Sequence, residues 1–281
     1  MKEIKKEKYM FIIFSLVSLL VVLPIILILL YIFFQGFRAL NLSFLLSFPS
    51  RGGREGGILP PLVGTFLLIL FTLLMSLPLG VLAGIFMSEY ATKKFSTEVI
   101  KVAIWNLAGV PSVVYGLFGL SLFVIALRLG SSILSGALTL GVLTLPIIIS
   151  ATEEALKSVP SDFKEGSLAL GATRWQTIRN ISLPYALPGI LTGVILSMGR
   201  IAGETAPIIF TVAAFYLPRL PSSPFDQSMV LSYHIFVTAT QVHDIRTEMV
   251  FGSVLVLLLV VLLFYTLAMY FRNVLRKKRW G

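Results

Sequence analysis

Six long runs almost free of charge constrain this chain more than any other feature: Tyr9–Phe34, Leu62–Met87, Ile100–Leu127, Ser132–Thr152, Pro188–Ala214 and Met249–Tyr270. An α-helix needs about 20 apolar residues to cross the hydrocarbon core of a bilayer, and each run is long enough. The composition agrees, with 57% hydrophobic and only 13% charged residues against about 25% charged in a typical soluble domain. The fold class expected is an all-α integral membrane protein with six transmembrane helices. The first run lacks a small-x-small cleavage pattern at its end and reads as a retained anchor. Cysteine is absent, which removes disulfides and thiolate chemistry, and His234 and His243 are too few for a histidine-rich metal centre.

Lysine and arginine orient the spans. With the N-terminus inside, one side collects Lys2, Lys5, Lys6, Lys8, Lys93, Lys94, Lys101, Lys157, Lys164, Arg174, Arg179, Arg272, Arg276, Lys277, Lys278 and Arg279, or 16 of the 23 basic residues. The other side holds Arg38, Arg51, Arg54, Arg128, Arg219 and Arg246. Both termini are therefore expected in the cytoplasm, and the net charge of +10 is a topology signal rather than a nucleic-acid footprint.

Two outer segments have a character of their own. Residues 35–61 are rich in Gly and Pro, with Arg51 to Gly57 a flexible stretch. Residues 216–248 open with Pro218, Pro221 and Pro224, after which Met229, Val230, Tyr233, Phe236 and Val237 recur at helical spacing. That spacing suits a short amphipathic helix, lying on the membrane face, on a partner, or packed as an ordinary surface helix. Between spans three and four the tight turn is expected around Gly130.

The polar segment between spans four and five, within 153–187, carries its own start and stop signals. Asp162 with Glu165 three residues on makes a capping box after Pro160. Gly171 supplies the left-handed residue that ends the first helix. Thr173 with Gln176 makes a second box, opening a helix with Trp175, Ile178 and Ile181 on one side, and Pro184 and Pro188 bound the start of span five. Two short helices meeting at an angle at Gly171 are marginal alone in water, so they should pack against something.

The wording Glu165-x5-Gly171, then Ile181-x-Leu183-Pro184, resembles the EAA loop of ABC-importer permeases. Gly166 and Ser167 replace the usual two alanines, the glycine loosening the helix by about 1 kcal/mol. The resemblance extends to Gly57-Ile58-Leu59-Pro60, Gly64-Thr65, Pro78-Leu79-Gly80, Ser88-Glu89-Tyr90, the run Ala108 to Gly119, and Arg200-Ile-Ala-Gly-Glu204-Thr205-Ala206-Pro207. These are similar to phosphate-importer permeases, and the Gly-Glu-Thr-Ala-Pro wording to their PstA-type rather than PstC-type subunits. The likeness covers about residues 57–211.

The resemblance implies a type I ABC-importer permease fold, with residues 1–56 an added tail, first span and outer loop, and 57–281 the importer transmembrane domain. It implies that Asp162, Glu165, Gly171, Ala172, Thr173, Trp175, Ile181, Leu183 and Pro184 couple the chain to an ATPase. The implied partners are a homologous PstC-type permease subunit, two ATPase subunits carrying ATP and Mg, and an extracytoplasmic phosphate-binding protein, all around a lipid bilayer. No cofactor is expected on this chain, which has no Walker A loop.

Arg200 is the residue on which the chemistry turns. It lies about 12 residues into the fifth run, roughly 18 Å deep, where an arginine costs about 2.5–3.5 kcal/mol and is normally aimed at a cavity or a partner. Glu204 is its i+4 neighbour, so the pair reads either as a structural ion pair or as part of a substrate path with Thr205. A guanidinium fork bonds two phosphate oxygens and stays charged. Inorganic phosphate keeps a proton at neutral pH that Glu204 could accept, whereas sulfate would meet only repulsion. In span three, Pro111 and Gly109 predict a kink or break, tolerated at depth only where it is buried or lines water. Asn106, Ser112 and Tyr115 around that break could donate to an anion, or the glycines there could serve close helix packing. Glu153 and Glu154 read as solvated helix-end charges. An intramembrane serine protease needs a base within reach of its serine, and both histidines fall in the outer loop, far in sequence from Ser112.

Overall fold

The computed structural model describes residues 2–91 and 95–280. Lys93 and Lys94, and the side chains of the other basic residues at the chain ends from Lys2 to Lys8 and Arg276 to Arg279, lie outside the described residues. The architecture is helical: α1 (Lys2–Phe37), α2 (Leu42–Leu46), α3 (Leu59–Ile85), α4 (Phe95–Gly109), α5 (Ser112–Gly119), α6 (Ile133–Lys157), α7 (Ser161–Ala169), α8 (Arg174–Thr177), α9 (Leu183–Gly203), α10 (Ala206–Thr211), α11 (Leu231–Thr240) and α12 (Thr247–Trp280).

Among the described residues, five helical spans are long and apolar enough to cross a membrane, six if the bent pair α4–α5 is one span. The pair breaks by 102° between Gly109 and Ser112. Pro111 is the cause. It lacks the N–H that would reach the Leu107 carbonyl, and the Tyr115 hydroxyl donates to that carbonyl instead, at 2.7 Å. The sequence-level expectation of a break in span three therefore holds, and Tyr115 stitches it.

The core lies where α3, α6, α9 and α10 meet, around Leu68, Ile69, Ala137, Leu140, Ile201 and Ile208, all at most 1% exposed. α1 runs outside this core. Its apolar side chains are exposed on every side, as in a helix solvated by lipid, and its end rests on the start of α12 through an edge-on Tyr31–Phe251 contact. Gly36 lies against Phe251 and Leu255 there, and α7 and α8 stand at the other end of the bundle. α4 starts at that same end, where Lys101 meets Glu153 of α6.

At the opposite end, an irregular rim ties the helices together. The first backbone N–H groups of α6 have no partner within their own helix, and loop carbonyls receive them: Ser132 N to Thr211 O, Ile133 N to Asp226 O and Leu134 N to Pro224 O, each 2.9 Å. Asp226 in turn accepts from the Ser222 and Ser223 N–H groups and the Ser222 hydroxyl, bonds that hold its carboxyl below the usual range.

Several expectations need correction. The fifth run is not one helix to Ala214: α9 ends at Gly203, Glu204 is extended (φ −70°, ψ 136°), and α10 follows as a separate element. Hydropathy does not register such a break, because Gly203 and the short polar pair after it are flanked by apolar residues. In the stretch Arg51 to Gly57, expected to be flexible, the chain turns back on itself: Pro49–Ser50 and Glu55–Gly56 pair as an antiparallel hairpin, its turn using left-handed Gly52 and Gly53. The helix expected after Met229 is present as α11, and it is packed: Leu231, Ser232, His234, Val237 and Thr238 are buried. Glu153 is not a solvated helix end, for Lys157 and Lys101 hold its carboxylate at 2.6 and 3.4 Å. The tight turn at Gly130 is as expected, with φ +68°.

Candidate functional site

The segment between α6 and α9 is built largely as its residues dictate. Helix α7 ends in a left-handed Gly171 (φ +84°). The Gly171 N–H bonds Leu168 O and the Ala172 N–H bonds Ser167 O, the two bonds of a Schellman cap. The second capping box is complete: Gln176 N donates to Thr173 Oγ1 at 3.3 Å and Thr173 N to Gln176 Oε1 at 2.7 Å. The first box is not formed. α7 begins a residue early, at Ser161, so Pro160 occupies the cap position and offers no side-chain acceptor. Asp162 lies instead in the first turn, where its charge favours the helix N-terminus, and accepts from the Ser161 hydroxyl at 3.3 Å.

The second helix is also not a short, separate one. α8 passes through a π-helical turn, Ile178–Ser182, straight into α9. Pro184 removes a donor from the ladder, and the wider turn before it lets the helix continue. Only Ile178 of the expected apolar side is in the core, beside Ile85, Leu156 and Ile190. Ile181, Leu183, Pro184 and Ala172 are half-buried, Glu165 and Thr173 are exposed, and Trp175 points away, 50% exposed.

What clamps this segment to the bundle was not singled out in the sequence. Lys164 donates to Glu89 Oε1 at 2.7 Å and to Leu156 O at 3.3 Å. The Arg174 guanidinium stands 5.5 Å over the Tyr90 ring, a cation–π contact. Ser167 and Thr177 bond each other at 2.9 Å across the bend. Glu89 and Tyr90 close the π-helical turn at the end of α3, so the Ser88-Glu89-Tyr90 wording is the seat of the bent segment. The usable signal was a carboxylate and an aromatic at the end of one span, facing a segment rich in Lys and Arg. Outward, Phe163, Leu168, Leu170 and Trp175 leave an apolar surface, Leu170 being 91% exposed.

The second candidate region is the meeting of two breaks. Arg200 is in the last turn of α9 rather than mid-helix, because the helix starts at Leu183 and stops at Gly203. Its Nε lies 3.3 Å from Glu204 Oε1, with side chains 36% and 15% exposed. The extended backbone at Glu204 is pinned from α11, where the Ser232 hydroxyl donates to Glu204 O at 2.8 Å. Ile201, next to Arg200, shares a core with Leu68 and Leu140. Those two lie nine and seven residues in from the rim ends of their helices, or roughly 10–14 Å.

α5 abuts this break closely. A Cβ on Gly116 would fall 2.7 Å from the Phe210 ring and 3.0 Å from Pro207 Cα, so glycine lets α5 touch α10. The structure thus brings Arg200, Glu204 and Thr205 together at the break, and packs α5, which carries Tyr115, on the helix that follows them. Ser112 is half-buried at the start of α5 and Asn106 is exposed on α4, beyond the break; no contact joins either to the pair. The Tyr115 proton is committed to Leu107 O, so its remaining capacity is as an acceptor.

The chain is a multi-span helical bundle with a bent polar segment at one end and a charged pair at the break between α9 and α10. The chain belongs to the binding-protein-dependent transport system inner membrane component family, whose profile matches residues 76–281. It is 38% identical over 88% of both chains to the probable ABC transporter permease protein YqgI of Bacillus subtilis. It is 35% identical to the phosphate transport system permease protein PstA 1 of Mycobacterium tuberculosis, over 80% of this chain and 73% of that one. Its fold is that of ABC-importer permeases: a subunit of a bacterial transporter that imports the polysaccharide alginate superimposes with a TM-score of 0.68, at 16% identity and 97% coverage of both chains.

Proposed function

We propose that this chain is one half of the membrane path of an ATP-driven phosphate importer. A PstC-type permease subunit would supply the other half, two ATPase subunits the energy, and an extracytoplasmic binding protein the phosphate. The observation that carries the reading is the Arg200–Glu204 pair at 3.3 Å, seated at the break between α9 and α10, where α10 packs on α5, in a chain 35% identical to a phosphate permease. A guanidinium with its fork partly accessible can bond two oxygens of one phosphate. Glu204 accepts the proton that phosphate retains and sulfate lacks. Thr205 and the Tyr115 oxygen add polar lining, with Ser112 and Asn106 entering as the breaks straighten.

Coupling runs through α7 and α8. Phe163, Leu168, Leu170 and Trp175 offer apolar anchors to an ATPase groove, while Asp162, Glu165, Gly171 and Thr173 fix the shape that presents them. The clamp on Glu89 and Tyr90 passes displacement into α3, and the unbroken run from α8 into α9 passes it towards Arg200. Both termini and this element then face the cytoplasm, as the lysine and arginine bias requires.

The test is reconstitution of this chain with its partner subunits in liposomes, followed by uptake of labelled phosphate and sulfate. Arg200→Gln should abolish uptake with assembly intact, and Glu204→Gln should narrow the preference for phosphate over sulfate. Uptake of another oxyanion in preference to phosphate, or equal discrimination by wild type and Glu204→Gln, would overturn the reading.

A further inference from the structure

Two clefts meet at the rim end of the bundle, away from α7 and α8. The first is an apolar groove of about 500 Å³ between α2, α3 and α12, lined among others by Leu42, Leu45, Leu62, Phe66, Leu259 and Leu263. The second is a polar cleft of about 310 Å³ whose walls include Arg38, Ser43, Glu55, Arg246 and Glu248. Asn41 lines both. Its Oδ1 is committed to the Phe44 N–H at 2.7 Å, leaving its amide nitrogen as a donor at the junction.

The polar cleft is not electrostatically closed. Glu55 is engaged by Arg51 at 2.8 Å. Among the described residues, neither Arg38 nor Arg246 has a carboxylate within 4.0 Å. The Arg246 Nη2 reaches only the Met249 sulfur, at 3.6 Å. Two arginines with charge to spare thus stand at the mouth of a groove that no described side chain fills. Arg38 directly follows α1 and Arg246 directly precedes α12, so both lie where a membrane surface meets these helix ends. Leu263 lies 16 residues along α12, about 24 Å from its start, against roughly 20 Å for one leaflet with its headgroups.

We propose that this composite site holds one glycerophospholipid: the phosphodiester is bonded by Arg38 and Arg246, and one acyl chain lies in the groove between α2, α3 and α12. The charge pattern selects this occupant over a partner's helix. A helix would fill the groove without needing two guanidinium forks, whereas a phosphodiester supplies the bidentate acceptor they match. Glu248, on the same wall, leaves room for a headgroup bearing an ammonium. The lipid would join the segment that follows α1 to α3 and α12 through a groove that protein atoms leave open.

The experiment is photocrosslinking of the full chain in native membranes with a phospholipid carrying a diazirine on its acyl chain, followed by peptide mapping. Phosphorus analysis of the chain purified in mild detergent gives a second readout. Wild type should crosslink at residues 42–66 and 256–263 and retain about one phospholipid per chain. Both signals should fall about tenfold in the double variant Arg38→Gln, Arg246→Gln, and in Leu259→Trp, which fills the groove. Arg128→Gln, on the same side of the membrane but outside both clefts, should leave them unchanged. Crosslinks spread evenly over α1 and α12, equal labelling in wild type and all variants, or a groove occupied by a protein helix in the assembled complex would overturn the proposal. Monodisperse elution distinguishes loss of lipid from loss of fold.

Discussion

Glu89, at the end of α3, holds Lys164 of α7 at 2.7 Å, with side chains only 11% and 24% exposed. The contact joins residues 75 positions apart and links the bent element to the first helix of the core. A charge-assisted bond this sheltered is worth more than a surface ion pair. Glu89→Gln and Lys164→Met should each lower ATP-driven uptake about 5–30-fold, the effect of 1–2 kcal/mol, with assembly retained. The exchange Glu89→Lys with Lys164→Glu should recover part of the loss. Uptake rates in liposomes check this, and single variants at wild-type rates would remove the clamp from the account.

Gly171 turns the chain in the left-handed region, at φ +84°, and a Cβ there would meet nothing within 4 Å. Any cost of substitution is therefore backbone strain alone. Gly171→Ala should destabilise the bend by about 1–2 kcal/mol, and Gly171→Asn by less. Hydrogen exchange over 161–178 measures it directly, and equal protection in all three proteins would contradict the conformation.

Tyr115 serves the break at Pro111 through Leu107 O, which otherwise receives only the Val110 N–H at 3.2 Å. Removing the hydroxyl leaves that carbonyl under-satisfied, at a cost of about 1 kcal/mol. Tyr115→Phe should lower the thermal midpoint and slow transport without altering the ratio of phosphate to sulfate uptake. A changed ratio would make Tyr115 an anion ligand rather than a stitch.

His234 in α11 is 5% exposed, lies face-on to Phe215 at 6.0 Å, and has no partner for Nδ1 among the described residues. Burial disfavours its charged form and lowers its pKa from 6.5 to about 4. The unfolded chain thus binds a proton between these values that the folded chain does not. The stability contributed by neutral His234 is complete above pH 6.5, falls as the pH drops through this window, and is lost by about pH 4. The fall should be roughly 3 kcal/mol in local stability of the rim, read by hydrogen exchange of α11. His234→Phe, which keeps the stack, should flatten the profile.

Much of this fold was legible because its signals are local. The apolar runs, the left-handed Gly171, the Thr173–Gln176 box and the break at Pro111 each depend on residues within a few positions of one another. What escaped reading depends on tertiary partners. Whether Asp162 caps α7 turned on a one-residue shift of the helix start to Ser161. The end of α9 at Gly203 lies in an apolar context that hydropathy averages over, so Arg200 was read as mid-helix when it sits in the final turn. The clamp of Glu89 and Tyr90 on Lys164 and Arg174 joins distant positions, and no periodicity reports it. The charged pair itself was visible as an i+4 spacing, but its place against Gly116 and Pro207 was not.

ATP-driven transport by this chain requires that α7 and α8 be the surface through which an ATPase moves the bundle. Because the chain has no cysteine, a single Leu170→Cys offers a unique label at the most exposed large apolar side chain among the described residues. Crosslinking this variant in the assembled transporter should join it to an ATPase subunit and stop phosphate uptake, with reduction restoring both mobility and transport. A cysteine that reacts freely with an impermeant reagent from outside intact cells, or that never crosslinks to an ATPase while uptake proceeds, would contradict it.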